Sequence, residues 1–398
     1  MNILGSKIAK FHKNYPMIKA FLGIIISLLI TFQVNAQQIQ TGAEQMNEYL
    51  PMLQGKNVGM IVNHTSTIGQ THLVDSLLTR GIRIRKIFAP EHGFRGDADA
   101  GETVKSGTDT RTGLPIISLY GSNKKPSKAQ LEGIDILIFD IQDVGVRFYT
   151  YISTMHYAME AAAEQNIPFM VLDRPNPLGD YVDGPVLEMQ HSSFVGMHPI
   201  PVVHGLTVGE LAKMINGEGW LAKNVKTDLT IIKAKNYTHQ SKYELPIKPS
   251  PNLPNYQSVR LYPSLCFFEG TDISVGRGTM EPFQIIGFPD KKYGQFSFKP
   301  VSIEGMSKNP PHENKICYGL DLREVNPPAK LDLEYLISFY NKSGKGEAFF
   351  NNFFLNLAGT KVLKQQIIDG KSAEEIRNSW TPALKRYQNL RSKYLLYP

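Results

Sequence analysis

An α/β fold is what this sequence predicts, and three observations predict it. Between Lys56 and Asp173 near-continuous apolar, β-branched runs alternate with amphipathic stretches, the pattern of a parallel sheet whose strands are covered on both faces by helices. The ends of those runs carry clusters of polar and charged residues, where a doubly wound sheet collects its ligands beyond the carboxyl ends of its strands. After about Asp290 the alternation gives way to short turn-flanked runs and longer amphipathic segments. Together these point to a Rossmann-like parallel sheet domain at 37–289, followed by a smaller α+β C-terminal domain at 290–398.

The first 36 residues stand outside that fold. Lys7, Lys10, Lys13 and Lys19 precede the apolar run FLGIIISLLITF and the small-residue ending VNA, the order of a secretory signal peptide cleaved after Ala36. The run is short for a bilayer span, which takes about 20 residues. The mature chain is therefore expected to be secreted, into the periplasm, with no stable membrane span. Within the fold, NVGMIVN, IRIRKIFA, LPIISLYG, IDILIFDI and IPFMVLD read as successive strands, and THLVDSLLTRG and HYAMEAAAEQN as helical connections. The loops behind the strands are NHTS, PEHGFRG, YGSN, QDVGVRFYTY and DRPNPLG. In IPVVHGLTVGEL, Thr207 and Glu210 fit a capping box that starts a helix, and DLTIIKA follows as a strand. A loop-rich section from about Lys248 to Pro289 contains PSPNLPN and FFEGTDISVGRGTMEPF. The runs QFSFKPVSI and CYGLDLREV then lead into the amphipathic LEYLISFYNKS and the closing SAEEIRNSWTPALKRYQNLRSKYLLYP.

Composition excludes several function classes. The formal charge of +7 falls to near +3 once the four lysines of the leader are removed, too little to indicate a nucleic-acid partner. Cys266 and Cys317 are the two cysteines of the chain; in an oxidising compartment they could pair or remain buried thiols, and a cysteine-built zinc site is ruled out by count. No G-x-G-x-x-G follows the first strand, SVGRGT is too short for a phosphate loop, and there is no G-x-S-x-G elbow. His64, His92, Asp140, Asp143 and His204 could meet at strand ends, but no His-x-His or His-x-x-x-His pair supports a metal. No metal and no cofactor is expected.

Cleaving a sugar bond needs one protonated acid and one ionised partner in a dry cleft. Glu91, after a buried strand and beside Pro90 and Phe94, is the best acid candidate, because partial desolvation would make its carboxyl hold a proton more tightly. The plainer alternative is that it pairs with Arg95 or caps a helix. Glu102, Asp143 and Glu281 are candidates for the second catalytic carboxylate; Asp140 could serve the same end or fix its own loop. Arg147, Tyr149 and Tyr151 form an alternating cationic and aromatic edge suited to an anionic sugar, or, for either tyrosine, to core packing. His92, Arg95, Asp140, Asn252 and Arg277 complete the expected substrate-binding set.

The motifs APEHGFRG, AGE, TGLPIISLYG, FDIQDVGVRFYTYISTM, DRPNPLG, HGLTVGELA, PSPNLP, FFEGTDISVGRGTMEPF and YLLYP, in this order from about Gln54 to Pro398, closely resemble the NamZ-type exo-β-N-acetylmuramidases. The resemblance implies a glycosidase that removes one N-acetylmuramic acid from the non-reducing end of peptidoglycan fragments, with a Rossmann-like domain and a C-terminal auxiliary domain around a shared cleft. It also implies that Glu91 is the general acid. Two other classes remain to be separated from it: a secreted, non-catalytic muropeptide-binding protein, and a metal-dependent hydrolase of cell-wall fragments.

Overall fold

The computed structural model describes residues 38–95 and 106–398; the expected signal peptide and Glu102 lie outside them. The described apolar runs form β1 (Asn57–Val62), a short ribbon of β2 (Thr67–Ile68) and β3 (Thr71–His72), β4 (Arg83–Ala89), β5 (Gly107–Thr108), β6 (Pro115–Ser118), β7 (Ile136–Asp140), β8 (Phe169–Leu172) and β9 (Leu229–Ile232). The central sheet has the order β5-β6-β4-β1-β7-β8-β9. Its pairings are parallel except at the edge, where β5 runs antiparallel to β6.

Burial on two faces explains why these strands are apolar throughout. Along β7, Ile136 and Ile138 join one apolar cluster while Leu137 and Phe139 join the other, as successive side chains of a strand must when helices cover both faces. β8 divides in the same way, with Met170 and Leu172 on one side and Phe169 and Val171 on the other.

Strand order then places the site. From β1 the chain steps outward to β4 and β6, returns to pair β7 with the other side of β1, and continues to β8 and β9. At such a switch point the loops beyond the carboxyl ends diverge and leave a crevice. Glu91 just past β4, Tyr120 just past β6 and the segment behind β7 all lie at that edge. The helix Tyr151–Glu164 leads away from it, and the helix Val208–Gly217 opens with the expected capping box of Thr207 and Glu210.

The C-terminal part carries an antiparallel sheet of β10 (Ile285–Phe288), β11 (Phe296–Phe298) and β12 (Cys317–Asp321) in the order β10-β12-β11. That sheet begins at Ile285, ahead of Asp290. One apolar cluster runs from Phe139 and Met155 through Phe267 and Phe283 to Phe339, Phe354 and Trp380, so residues 39–398 form one compact unit. The closing tail is tied in as well: the Tyr397 hydroxyl donates to Asp173 Oδ2 at 2.7 Å, just past β8. Cys266 and Cys317 are both buried and unpaired.

One expected ligand contact is corrected here. Arg147 is fully buried, and its guanidinium donates to the carbonyl oxygens of Pro185, Ile200, Leu357 and Ala358 at 2.7, 2.9, 2.8 and 2.9 Å. Its backbone pairs with Val202, which turns the side chain inward instead of toward a ligand. Burial lowers its pKa to about 9, so it remains a cation at neutral pH. Arg147→Met should leave those carbonyls unpaired and cost at least ~3 kcal/mol, visible as a lower urea midpoint; a midpoint within experimental error of wild type would remove Arg147 from this structural role.

Candidate active site

A tight turn delivers Glu91. β4 ends at Ala89, and the Gly93 amide donates to Pro90 O at 3.0 Å across a turn whose third residue, His92, has φ 68°. Positive φ at that position marks a type II turn, and a non-glycine residue there persists when its surroundings hold it. His92 is buried, with Nε2 at 3.4 Å from Ser250 Oγ. The turn sets Glu91 between neighbouring strand ends. Tyr120, two residues past β6, donates its hydroxyl to Glu91 Oε1 at 3.0 Å, and Thr150 donates to Oε2 at 2.9 Å. Thr150 is the N-cap of the helix Tyr151–Glu164 but makes no side-chain cap bond; its hydroxyl serves the carboxyl instead. Burial and the adjacent Glu91 carboxyl push the Tyr120 phenol up, so it stays a donor at physiological pH.

Glu91 lines a cavity of about 310 Å³, together with the expected His92, Tyr149, Tyr151, Asn252 and Arg277. Tyr149 and Tyr151 meet edge to face with centroids 5.0 Å apart, and the Tyr149 hydroxyl donates to Pro249 O at 2.7 Å. Asn252 is fixed by donation from Nδ2 to Met306 O at 2.7 Å. Arg277 donates from Nε to Glu269 Oε1 at 2.6 Å and lies over the Phe283 ring at 5.3 Å. Glu269, Tyr120, Thr150, Phe194 and Phe353 also line the cavity, and none of them was singled out from sequence. Tyr120 obeys the rule that applied to its neighbours, since it follows a parallel strand; Glu269 follows no strand and had no such signal.

Residues 58–257 match the family described as exo-β-N-acetylmuramidase NamZ, N-terminal part, and residues 260–397 match its C-terminal part. The chain belongs to the NamZ family. It is 40% identical to the peptidoglycan β-N-acetylmuramidase NamZ of Bacillus subtilis (strain 168), over 90% of this chain and 92% of that protein. Two crystal structures of DUF1343 family proteins from Bacteroides fragilis NCTC 9343 are similar to it. One is 46% identical, with TM-score 0.84 over 91% of this chain and 99% of the other; the second is 30% identical, with TM-score 0.78 over 90% and 99%.

Within this NamZ fold several expected site residues turn away from the cavity. Asp140 ends β7 fully buried and receives Arg174, from just past the adjacent β8, through Nε at 2.6 Å and Nη2 at 2.9 Å. It fixes its loop and is not among the residues lining the cavity. Arg95 donates to Asp109 through Nε at 3.0 Å and Nη2 at 2.8 Å, and lines a separate cavity with His64, His72 and Arg111. Glu281 accepts from Gln284 Nε2 at 3.2 Å and is not among the lining residues. Glu102 lies outside the described residues. Among the described residues no group of three or more His, Cys, Asp or Glu side chains is placed to hold a metal ion; His64, for example, bonds Lys248 O at 2.9 Å.

Asp143 is likewise off the cavity. Its Oδ2 accepts the Gly145 amide at 2.6 Å and lies 3.9 Å from His204 Nε2. Burial pushes its pKa from 3.8 up to about 7, against the pull of the Gly145 and Val144 amides, and burial raises Asp173 to about 6. Both folded-state values lie above the unfolded value, so the stabilisation is complete below about pH 4 and is lost as pH rises through 6 to 7. Melting temperature should therefore fall between pH 5 and pH 8. Asp143→Asn, which cannot ionise, should flatten that fall by on the order of 1 kcal/mol; a slope identical to wild type in melting curves would show that Asp143 does not set it.

Proposed function

We propose that this chain is an exo-acting glycoside hydrolase that cleaves the β-1,4 bond between a non-reducing terminal N-acetylmuramic acid and N-acetylglucosamine in peptidoglycan fragments. One observation carries the reading beyond family membership: the Glu91 carboxyl, gripped by the Tyr120 and Thr150 hydroxyls, is presented to a cavity with aromatic walls. In that position Glu91 acts as the general acid, giving its proton to the glycosidic oxygen as the bond to the sugar breaks. A second carboxylate, or the acetamido oxygen of the substrate itself, stabilises the oxocarbenium-like transition state. The rings of Tyr149 and Tyr151 suit the apolar face of a sugar and its acetamido methyl. A volume of about 310 Å³, at the lower end of the roughly 300–1,000 Å³ of small-ligand sites, suits a single terminal sugar better than a continuous glycan strand.

The leader with its four lysines and apolar run supports export, and we place the enzyme in the periplasm, acting on cell-wall fragments during turnover or recycling. Among the described residues no helix is long and apolar enough to cross a membrane.

The deciding experiment follows release of free N-acetylmuramic acid from a disaccharide that carries it at the non-reducing end, with and without a chelator. Wild type should release the sugar under both conditions, and Glu91→Gln should lose at least ~100-fold in rate. An unimpaired Glu91→Gln would take the acid role away from Glu91. Binding without cleavage would favour a muropeptide-binding protein, and loss of activity with chelator a metal-dependent hydrolase.

A further inference from the structure

The segment SVGRGT is too short for a phosphate loop, yet the fold fixes it closely. Gly276 and Gly278, either side of Arg277, both have φ 79°. A Cβ on Gly276 would come within 2.6 Å of Ile285 Cγ1, and one on Gly278 within 2.6 Å of Val301 O. Two left-handed glycines pressed against their surroundings leave the chain one course, and that course delivers Arg277 to the cavity.

The guanidinium arrives already oriented. Nε is taken by Glu269 Oε1 at 2.6 Å, one face rests on Phe283, and the Cys266 thiol lies 3.4 Å from the other Glu269 oxygen. Nη1 and Nη2 have no partner among the described residues, while the side chains of Arg277 and Glu269 are 20% and 23% exposed. That leaves a parallel pair of N–H donors on the cavity wall, the arrangement that receives a carboxylate bidentately. Among the described residues lining the cavity, Arg277 is the sole side chain with a permanent positive charge. The other arginines that could have met an anion are engaged elsewhere, Arg95 by Asp109 and Arg147 by backbone carbonyls.

We infer that Arg277, aimed by Glu269, clamps the carboxylate of the lactyl ether on the terminal sugar and thereby selects muramic acid over glucosamine residues. The identity of that carboxylate rests on the muramidase reading above. Glu269 is a positioning residue in this arrangement: it holds Nε and so presents the Nη edge to the ligand.

The test compares a chromogenic β-N-acetylmuramide with the matching β-N-acetylglucosaminide, and stabilisation of the wild-type protein by N-acetylmuramic acid, its carboxyl methyl ester and N-acetylglucosamine. Arg277→Gln should lower kcat/KM on the muramide by at least ~100-fold, mainly through KM, and affect the glucosaminide far less, because a site built for a polar group discriminates steeply against its absence. Glu269→Ala should raise KM for the muramide by about tenfold with a smaller effect on kcat, and Glu269→Gln, which keeps an acceptor for Nε, should recover part of it. Free N-acetylmuramic acid should raise the wild-type melting temperature, and the ester and N-acetylglucosamine should do so much less.

Equal losses on both substrates, or equal stabilisation by acid and ester, would overturn the clamp. A collapse of kcat in Glu269→Gln at constant KM would overturn the positioning role and make Glu269 the second catalytic carboxylate. The melting comparison uses wild-type protein and needs no turnover. Selective binding without release of sugar would therefore count against the muramidase reading while leaving the clamp in place.

Discussion

The cavity depends on one guanidinium buried among backbone carbonyls. Arg147 sits immediately before the wall formed by Phe148, Tyr149, Thr150 and Tyr151, and it bonds Leu357 and Ala358 at the end of the helix Phe353–Ala358, whose Phe353 and Leu357 form another part of the cavity wall. A buried cation must be surrounded by acceptors, and here they come from three segments distant in sequence. Parting the two walls would strand either the cation or the carbonyls. Lysine could not substitute, because a single ammonium lacks the planar fork that reaches all four oxygens. A frame held this firmly can also keep His92 in its left-handed conformation, since strain of that kind survives where neighbouring contacts over-determine it.

Much of this was legible in the sequence, for reasons that differ from residue to residue. Strands buried on both faces must be apolar at every position, so β1, β7 and β8 announce themselves and the parallel sheet follows. Ligand groups gather past strand ends, which located Glu91, His92, Tyr149 and Tyr151 at the cavity. The same rule overreached at Asp140 and Arg147, because a charged residue past a strand can point inward as readily as outward. For Asp140 the partner was visible, with hindsight, at the equivalent end of the next run, where Arg174 follows LD in IPFMVLDR. For Arg147 no sequence signal existed, since its acceptors are main-chain atoms and carry no side-chain identity. Glu269 was hidden for a related reason: its place at the cavity comes from the packing of the C-terminal part, which no periodicity reports.

The two walls divide the chemistry. The N-terminal wall offers the carboxyl proposed as general acid, held by the Tyr120 and Thr150 hydroxyls, which unlike a guanidinium can rotate: a hydroxyl donates to a carboxylate and can accept from a carboxylic acid. The C-terminal wall offers fixed charge, in the ion pair of Arg277 and Glu269 that lines the same cavity. In the clamp inferred for Arg277, the lactyl carboxylate keeps its charge as the glycosidic bond breaks, so binding energy gathered there cannot speed the step directly. It can hold one terminal sugar in the pose where the oxygen meets the acid. The proposed division of recognition and proton transfer between the two parts of the chain needs a rigid link between them, and the buried guanidinium of Arg147, bonded to carbonyls on both, is placed to supply it.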